Sequence, residues 1–203
     1  MEIGIILLTL AAYLFGAIPF GLLVAKSRGV NIREHGSGNI GATNVFRVVG
    51  KGWGIFTFTL DALKGFIPAF FFSKIGELPF EWGVLFGMAA IIGHTFPVYL
   101  KFKGGKGVAT SAGMLIGIAP VAVAVGFLFW VICLVLSRIV SLASIIAAIA
   151  VGITVWVEGE KPVAVKIALS ILSLLVVWLH RANIKRLMNG TESRFGKKKE
   201  AKV

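Results

Sequence analysis

Cysteine is almost missing from the sequence. Cys133 is the only one in 203 residues, so no disulfide can close within the chain and no thiol pair exists for redox or metal work. It lies in an apolar run, where packing is its expected role. Acidic residues are scarce as well, nine against 21 lysines and arginines, and Asp61 is the only one inside a long apolar stretch. A carboxylate cage for magnesium is therefore hard to build, which argues against metal-dependent headgroup transfer and for a site without metal. Nucleophile signatures are absent too. No G-x-S-x-G elbow occurs, and no histidine is followed five residues on by aspartate. The GGKG string at 104–107 is not a Walker A loop, because Lys106 is followed by Gly107 and no glycine stands five residues before Gly105. Bound ATP is not implied.

What the chain has in abundance is hydrophobicity. A mean hydropathy of +0.91 with 57% hydrophobic residues marks an integral membrane protein. The first 25 residues are not a cleaved leader by composition, since their start is not basic and no small-residue cleavage pattern precedes Lys26. Apolar segments run over 3–25, 53–72, 82–100, 139–157 and 163–179. The stretch 108–136 would form a helix of about 44 Å against a hydrocarbon core of about 30 Å, and it contains Pro120. One kinked helix or a tight pair of shorter spans would fit.

Charge separates the two. With seven spans and an external N-terminus, Lys26, Arg28, Arg33, Arg47, Lys51, Lys101, Lys103, Lys106, Arg138 and the basic C-terminus all become cytoplasmic. Only Lys74 and Lys161 remain outside, beside Glu77, Glu81, Glu158 and Glu160. Six spans would put the basic C-terminus outside, against the charge bias. The expectation is thus an all-α polytopic membrane helix bundle, a single domain over 1–203, with seven transmembrane helices, N-terminus outside and C-terminus cytoplasmic. The net charge of +12 suits anionic lipid headgroups, particularly along the tail 193–203, and no recognised nucleic-acid module accompanies it.

Three polar, glycine-containing blocks interrupt the apolar chain, at 35–47, 93–110 and 180–192, and they hold all three histidines, His35, His94 and His180. In the second block Gly104, Gly105 and Gly107 allow close backbone approach to a ligand, the helix expected from Val108 offers unpaired N–H groups, and Lys106 supplies a point charge. In the first, Asn39, Thr43 and Arg47 recur every four residues, Ser37 is placed to cap a helix or bind a ligand, and Arg47 offers a planar fork for phosphate. In the third, His180 and Asn183 are three apart at the end of the last span. Asp61 and Lys64 are expected to neutralise each other inside the bundle. Ser141 and Ser144 share a helical face, with capping and packing as the alternative to substrate contact.

SGNIGATNVFR, GHTFPVYLKFKGGKGVAT and HRANIKRLMNGTE, in that order and separated by apolar spans over essentially the whole chain, closely resemble the three motifs of the bacterial acyl-phosphate:glycerol-3-phosphate acyltransferase family. The resemblance implies a multi-pass protein of the bacterial inner membrane with seven helices and a cytoplasmic site. It implies acyl transfer from acyl phosphate to the 1-hydroxyl of sn-glycerol 3-phosphate, giving lysophosphatidic acid and inorganic phosphate as the first committed step of phospholipid synthesis. No cofactor or metal is expected; the partners are the two substrates and membrane lipids, and the assembly a monomer.

Acyl phosphate is a mixed anhydride with a good leaving group, so direct attack needs no covalent intermediate. The expected catalytic residues are His180, Lys106 and Arg47. Ser37, Gly38, Asn39, Thr43, Asn44, His94, Gly104, Gly105, Gly107, Ser141, Ser144 and Asn183 are expected to bind substrate. Lys106, Arg47 and Asn183 would hold glycerol 3-phosphate, while Ser37, Asn39 and the backbone of 104–107 hold the acyl phosphate. The base is either His180 or a substrate phosphate. Competing readings are a transporter for an anionic metabolite, opposed by the polar blocks lying on one face and by the lack of an evident inverted repeat, and a lipid scaffold, which leaves those blocks idle.

Overall fold

The computed structural model describes residues 2–159 and 161–195, and all regular structure among them is helical. Glu160 and the tail beyond residue 195, including the triple lysine expected to meet lipid, lie outside the described residues. The helices fall into two compact units that divide after Pro120.

The first unit begins with α1 (Glu2–Gly16) and α2 (Phe20–Ser27). The sequence reads 3–25 as one uninterrupted segment, whereas the structure breaks it before Pro19. Proline has no N–H to donate and disfavours helical geometry in the residue ahead of it, so Ile18 leaves the helix. The freed Ile18 carbonyl accepts a hydrogen bond from the buried Lys64 ammonium at 2.9 Å. After the short α3 (Ala42–Val48) comes α4 (Lys51–Ile75), then α5 (Trp82–Thr95), a 3-10 turn (Val98–Leu100) and α6 (Val108–Ile118).

Small residues set the helix crossings here. A Cβ at Gly65 of α4 would collide with the Thr110 carbonyl of α6, and one at Gly113 of α6 with the Ala62 carbonyl of α4. Gly16 of α1 is equally tight against Ala90 of α5. Between membrane helices, where lipid tails compete with apolar side chains, such close backbone approach is a main source of attraction. Tyr13 Oη adds a hydrogen bond of 2.9 Å to the Phe96 carbonyl at the end of α5.

The second unit comprises α7 (Pro120–Ser137), α8 (Val140–Val157), α9 (Val163–Leu179) and α10 (Arg181–Met188). The 108–136 stretch is thus divided at Ala119, where Pro120 starts a new helix as its fixed φ and missing N–H favour. Gly126 of α7 packs on Val151 of α8, and Trp130 Nε1 donates to Ser144 Oγ at 3.3 Å. Trp156 of α8 donates to Ser170 of α9 at 2.9 Å. α9 and α10 meet at a bend of 51°.

Five segments are long and apolar enough to cross a bilayer: Glu2–Ser27, Lys51–Ile75, Trp82–Leu100, Pro120–Ser137 and Val140–Val157. The bent pair α9 and α10 makes a sixth if counted as one span, and α6 is apolar but only 11 residues long. Ile3, Leu7 and Leu10 on α1 and Phe127, Leu128 and Leu136 on α7 are exposed, as side chains facing lipid must be.

Candidate functional site

The first polar block is wound around one side chain. Asn44, in the first turn of α3, is 2% exposed. Its Nδ2 shares two hydrogens among the carbonyls of Ile32 (3.2 Å), His35 (3.0 Å) and Asn39 (2.9 Å), while its Oδ1 accepts from Ser37 N–H at 2.9 Å. An amide inside the protein costs little only when so satisfied, and here it fastens the loop to the helix it precedes. Gly41, not Ser37, occupies the N-cap of α3. Because the helix starts at Ala42, Asn39 stays in the loop, its Oδ1 accepting Gly41 N–H at 2.8 Å, and the four-residue polar stripe shrinks to Thr43 and Arg47. Arg47 and Ser37 are exposed; Gly38 and Thr43 are half-buried. His35 is exposed, with Nδ1 2.9 Å from the Asn31 carbonyl.

In the second block the chain reverses and returns along the end of α5. Lys101 and Phe102 take left-handed backbone angles, φ 52° and 61°, to make the reversal. Gly104 N–H then donates to the Thr95 carbonyl (3.0 Å) and Gly105 N–H to the His94 carbonyl (3.1 Å), supplying acceptors at the helix end with the donors they need. Gly107, at φ 74°, is the N-cap of α6, so Lys106 stands half-buried before a helix N-terminus. Gly107 makes no side-chain cap hydrogen bond, and the N–H groups and positive dipole end of a helix start favour an anion. Arg33 Nη2 donates to the Lys103 carbonyl at 2.7 Å and links the first block's loop to the second's.

Beneath this loop three ionisable groups are buried together. Lys64 Nζ lies 2.8 Å from Asp61 Oδ1, as the i, i+3 spacing predicts, and His94 Nδ1 lies 3.7 Å from the same oxygen. His94 is in the interior, its ring on the side of Gly105 where a Cβ would project.

The second unit carries the third block. His180 ends α9 and begins α10, and its Nδ1 is 2.8 Å from the Val176 carbonyl. A carbonyl only accepts, so in the neutral ring Nδ1 holds the proton and Nε2 the lone pair. Asn183, in the first turn of α10, donates from Nδ2 to Glu192 Oε1 at 2.7 Å. Glu192 also accepts from Ser141 Oγ (2.8 Å) and from Arg186 Nε (2.6 Å). Burial alone would raise the Glu192 carboxyl, but the hydrogen bonds from Asn183, Ser141 and Arg186, with the Arg186 charge, outweigh it and hold the group below its usual range. Ser144 donates to the Val140 carbonyl at 2.9 Å and accepts from Trp130.

Two features escaped sequence reasoning. Glu192 is the hub of the third block, and its signal was available, since it is the one carboxylate within residues 180–192, among Arg181, Lys185 and Arg186. The Arg33 link had no local signal, because its partner is 70 residues away. Among the described residues no three His, Cys, Asp or Glu side chains gather to hold a metal ion.

Comparison with known proteins adds independent findings. Residues 6–190 match the family model described as glycerol-3-phosphate acyltransferase. A protein of that name from Geotalea daltonii is 48% identical over 190 residues, spanning 94% of this chain and 97% of the relative. Another from Aquifex aeolicus is 44% identical over 189 residues, 93% of this chain and 97% of its own. Crystal structures of PlsY (YgiH), an integral membrane glycerol 3-phosphate acyltransferase, share 43% identity with this chain. The glycerol 3-phosphate form aligns with a TM-score of 0.89 over 95% of this chain and 96% of that one. The lysophosphatidic acid form gives 0.87 over 95% of each.

Proposed function

The chain belongs to the glycerol-3-phosphate acyltransferase family of integral membrane enzymes, and from that premise we propose that it acylates the 1-hydroxyl of glycerol 3-phosphate from an acyl phosphate. The observation that carries this reading is the glycine loop at 104–107, which leads Lys106 and the N-terminus of α6 into one short anion-recognising segment. The glycerol 3-phosphate and lysophosphatidic acid forms of PlsY (YgiH), to which this chain is similar, support the acceptor and the product.

In the proposed reaction the 1-hydroxyl oxygen attacks the acyl carbonyl carbon, the bond from that carbon to the phosphate oxygen breaks, and inorganic phosphate leaves. The hydroxyl proton passes to His180 Nε2 or to a substrate phosphate. Lys106, Arg47 and Asn183 serve glycerol 3-phosphate; Ser37, Asn39 and the loop backbone beyond Gly105 serve the acyl phosphate, because the Gly104 and Gly105 N–H groups are engaged by the Thr95 and His94 carbonyls. Asn44 acts by holding Ser37 and Asn39 in place, through the four hydrogen bonds it makes to their loop. Positioning and charge stabilisation suffice because the leaving group is already activated.

We further propose seven spans, with α6 and α7 crossing separately and α6 shielded by its neighbours, an external N-terminus and a cytoplasmic reaction face in the bacterial inner membrane. The basic loops and the helix break at Pro120 support this arrangement. A reporter fused after Val203 that proved external would overturn it. The donor is tested with purified protein offered glycerol 3-phosphate and either an acyl phosphate or an acyl thioester of equal chain length. Lysophosphatidic acid and stoichiometric phosphate from acyl phosphate alone are expected; transfer from the thioester alone refutes the donor assignment.

A further inference from the structure

The acyltransferase reading makes 104–107 a phosphate-recognising loop and expects His94 to bind substrate, but it gives no task to Asp61 and Lys64, with which His94 is buried beneath that loop. His94 lies between that cluster and the loop: Nδ1 is 3.7 Å from Asp61 Oδ1, and Asp61 is itself paired with Lys64 at 2.8 Å. Lys64 is anchored in turn by its 2.9 Å hydrogen bond to the Ile18 carbonyl. On the other side, the three atoms nearest a Cβ built on Gly105 all belong to the His94 imidazole. The His94 and Thr95 carbonyls accept from Gly105 and Gly104, so the backbone at the end of α5 holds both residues while the ring meets Gly105 alone.

The neighbouring glycines differ. A Cβ at Gly104 would strike the carbonyls of His94 and Thr95 and the ring of Pro97, which are fixed. Gly107 needs its positive φ. Gly105 has no such backbone requirement; what excludes a side chain there is an imidazole that a substitution can remove.

We propose that Asp61, Lys64 and His94 form a buried brace whose imidazole fixes the backbone at Gly105, making His94 a positioning residue for phosphate recognition by the loop. This rests on the acyltransferase reading for the identity of the phosphate. The brace explains why a polar cluster is kept inside an apolar bundle, where an unpaired ionisable group is strongly disfavoured.

The test compares wild type, Gly105→Ala, His94→Ala, the double variant, and Gly104→Ala with and without His94→Ala, all as full chains in lipid nanodiscs. Each is assayed for the KM for glycerol 3-phosphate, for kcat and for thermal midpoint. Gly105→Ala should raise KM about tenfold, and the same change in the His94→Ala background should cost far less, a coupling expected only between touching groups. His94→Ala alone should raise KM more than it lowers kcat, and it should not relieve Gly104→Ala. His94→Asn with Gly105→Ala serves if the alanine pair does not fold. Additive losses at His94 and Gly105, or an unchanged KM in His94→Ala, would overturn the brace. If wild type transfers no acyl group, the acyltransferase reading fails instead, and the melting midpoints of the same cycle decide the brace: no coupling between the two positions refutes it.

Discussion

Replacing Glu192 by glutamine tests the second unit at its hub. Glutamine keeps the shape but has one acceptor oxygen where the carboxylate has two. Ser141 and Asn183 both donate to Oε1 and Arg186 to Oε2, so a glutamine placed with its oxygen toward Asn183 turns an NH2 toward the Arg186 donor. Flipped, it turns the NH2 toward Asn183, which also donates. One donor is stranded in either pose. Hydrogen bonds to a charged group contribute roughly 1.5–3 kcal/mol and neutral ones about 1 kcal/mol. The Arg186 side chain is 42% exposed, so its own share is held to about 1 kcal/mol. Loss of the charge then costs about 2–4 kcal/mol in total. Thermal unfolding in nanodiscs should show Glu192→Gln destabilised at neutral pH. Because the folded carboxyl titrates below its unfolded value, this stabilisation is complete above the unfolded value and disappears as pH falls through the folded one. The gap between wild type and Glu192→Gln should therefore close on acidification through the carboxylate range. A double-mutant cycle with Asn183→Ala should also show coupling in the KM for glycerol 3-phosphate. A gap that stayed constant with pH, together with additive kinetics, would refute the hub.

Lys106→Ala should raise the KM for a phosphorylated substrate about tenfold or more, and unchanged steady-state kinetics would remove this residue from the site. His180→Ala should lower kcat at saturating substrate by about 100-fold if the ring takes the proton. Near-normal turnover would assign the proton to a substrate phosphate. Asn44→Leu should cost about 2–4 kcal/mol and raise protease sensitivity of the loop at 31–41, since it leaves three carbonyls and one N–H without their partner. Lys64→Met strands Asp61 in the interior and should cost about 3–5 kcal/mol, with Asp61→Asn in the same chain recovering much of it; melting midpoints of the single and double variants decide.

The features legible in the sequence rest on local rules. Pro120 divides a segment too long for one span, Asp61 meets Lys64 one turn on, and α9 begins and ends where its apolar run does. What was illegible depended on which partner a polar group finds. Asn39, Thr43, Asn44 and Arg47 look alike as a polar helix face, but only the fold reveals that Asn44 is occupied by its own loop and that Asn39 lies outside the helix. His94 looks like the other two histidines until α4 brings Asp61 beside it. Pro19 was visible, yet a break within an apolar run has no pattern of its own until Lys64 is seen meeting the freed carbonyl.

The winding of the first block around Asn44 bears on biosynthesis. Its four hydrogen bonds join residues 12 or fewer positions apart, whereas Lys64 reaches back 46 residues and Arg33 reaches forward 70. Closing short loops carries less entropic cost than closing long ones, so these four bonds need no residue beyond Asn44 to form. The strap from Arg33 to Lys103, by contrast, cannot close until the second block has been synthesised 70 residues later.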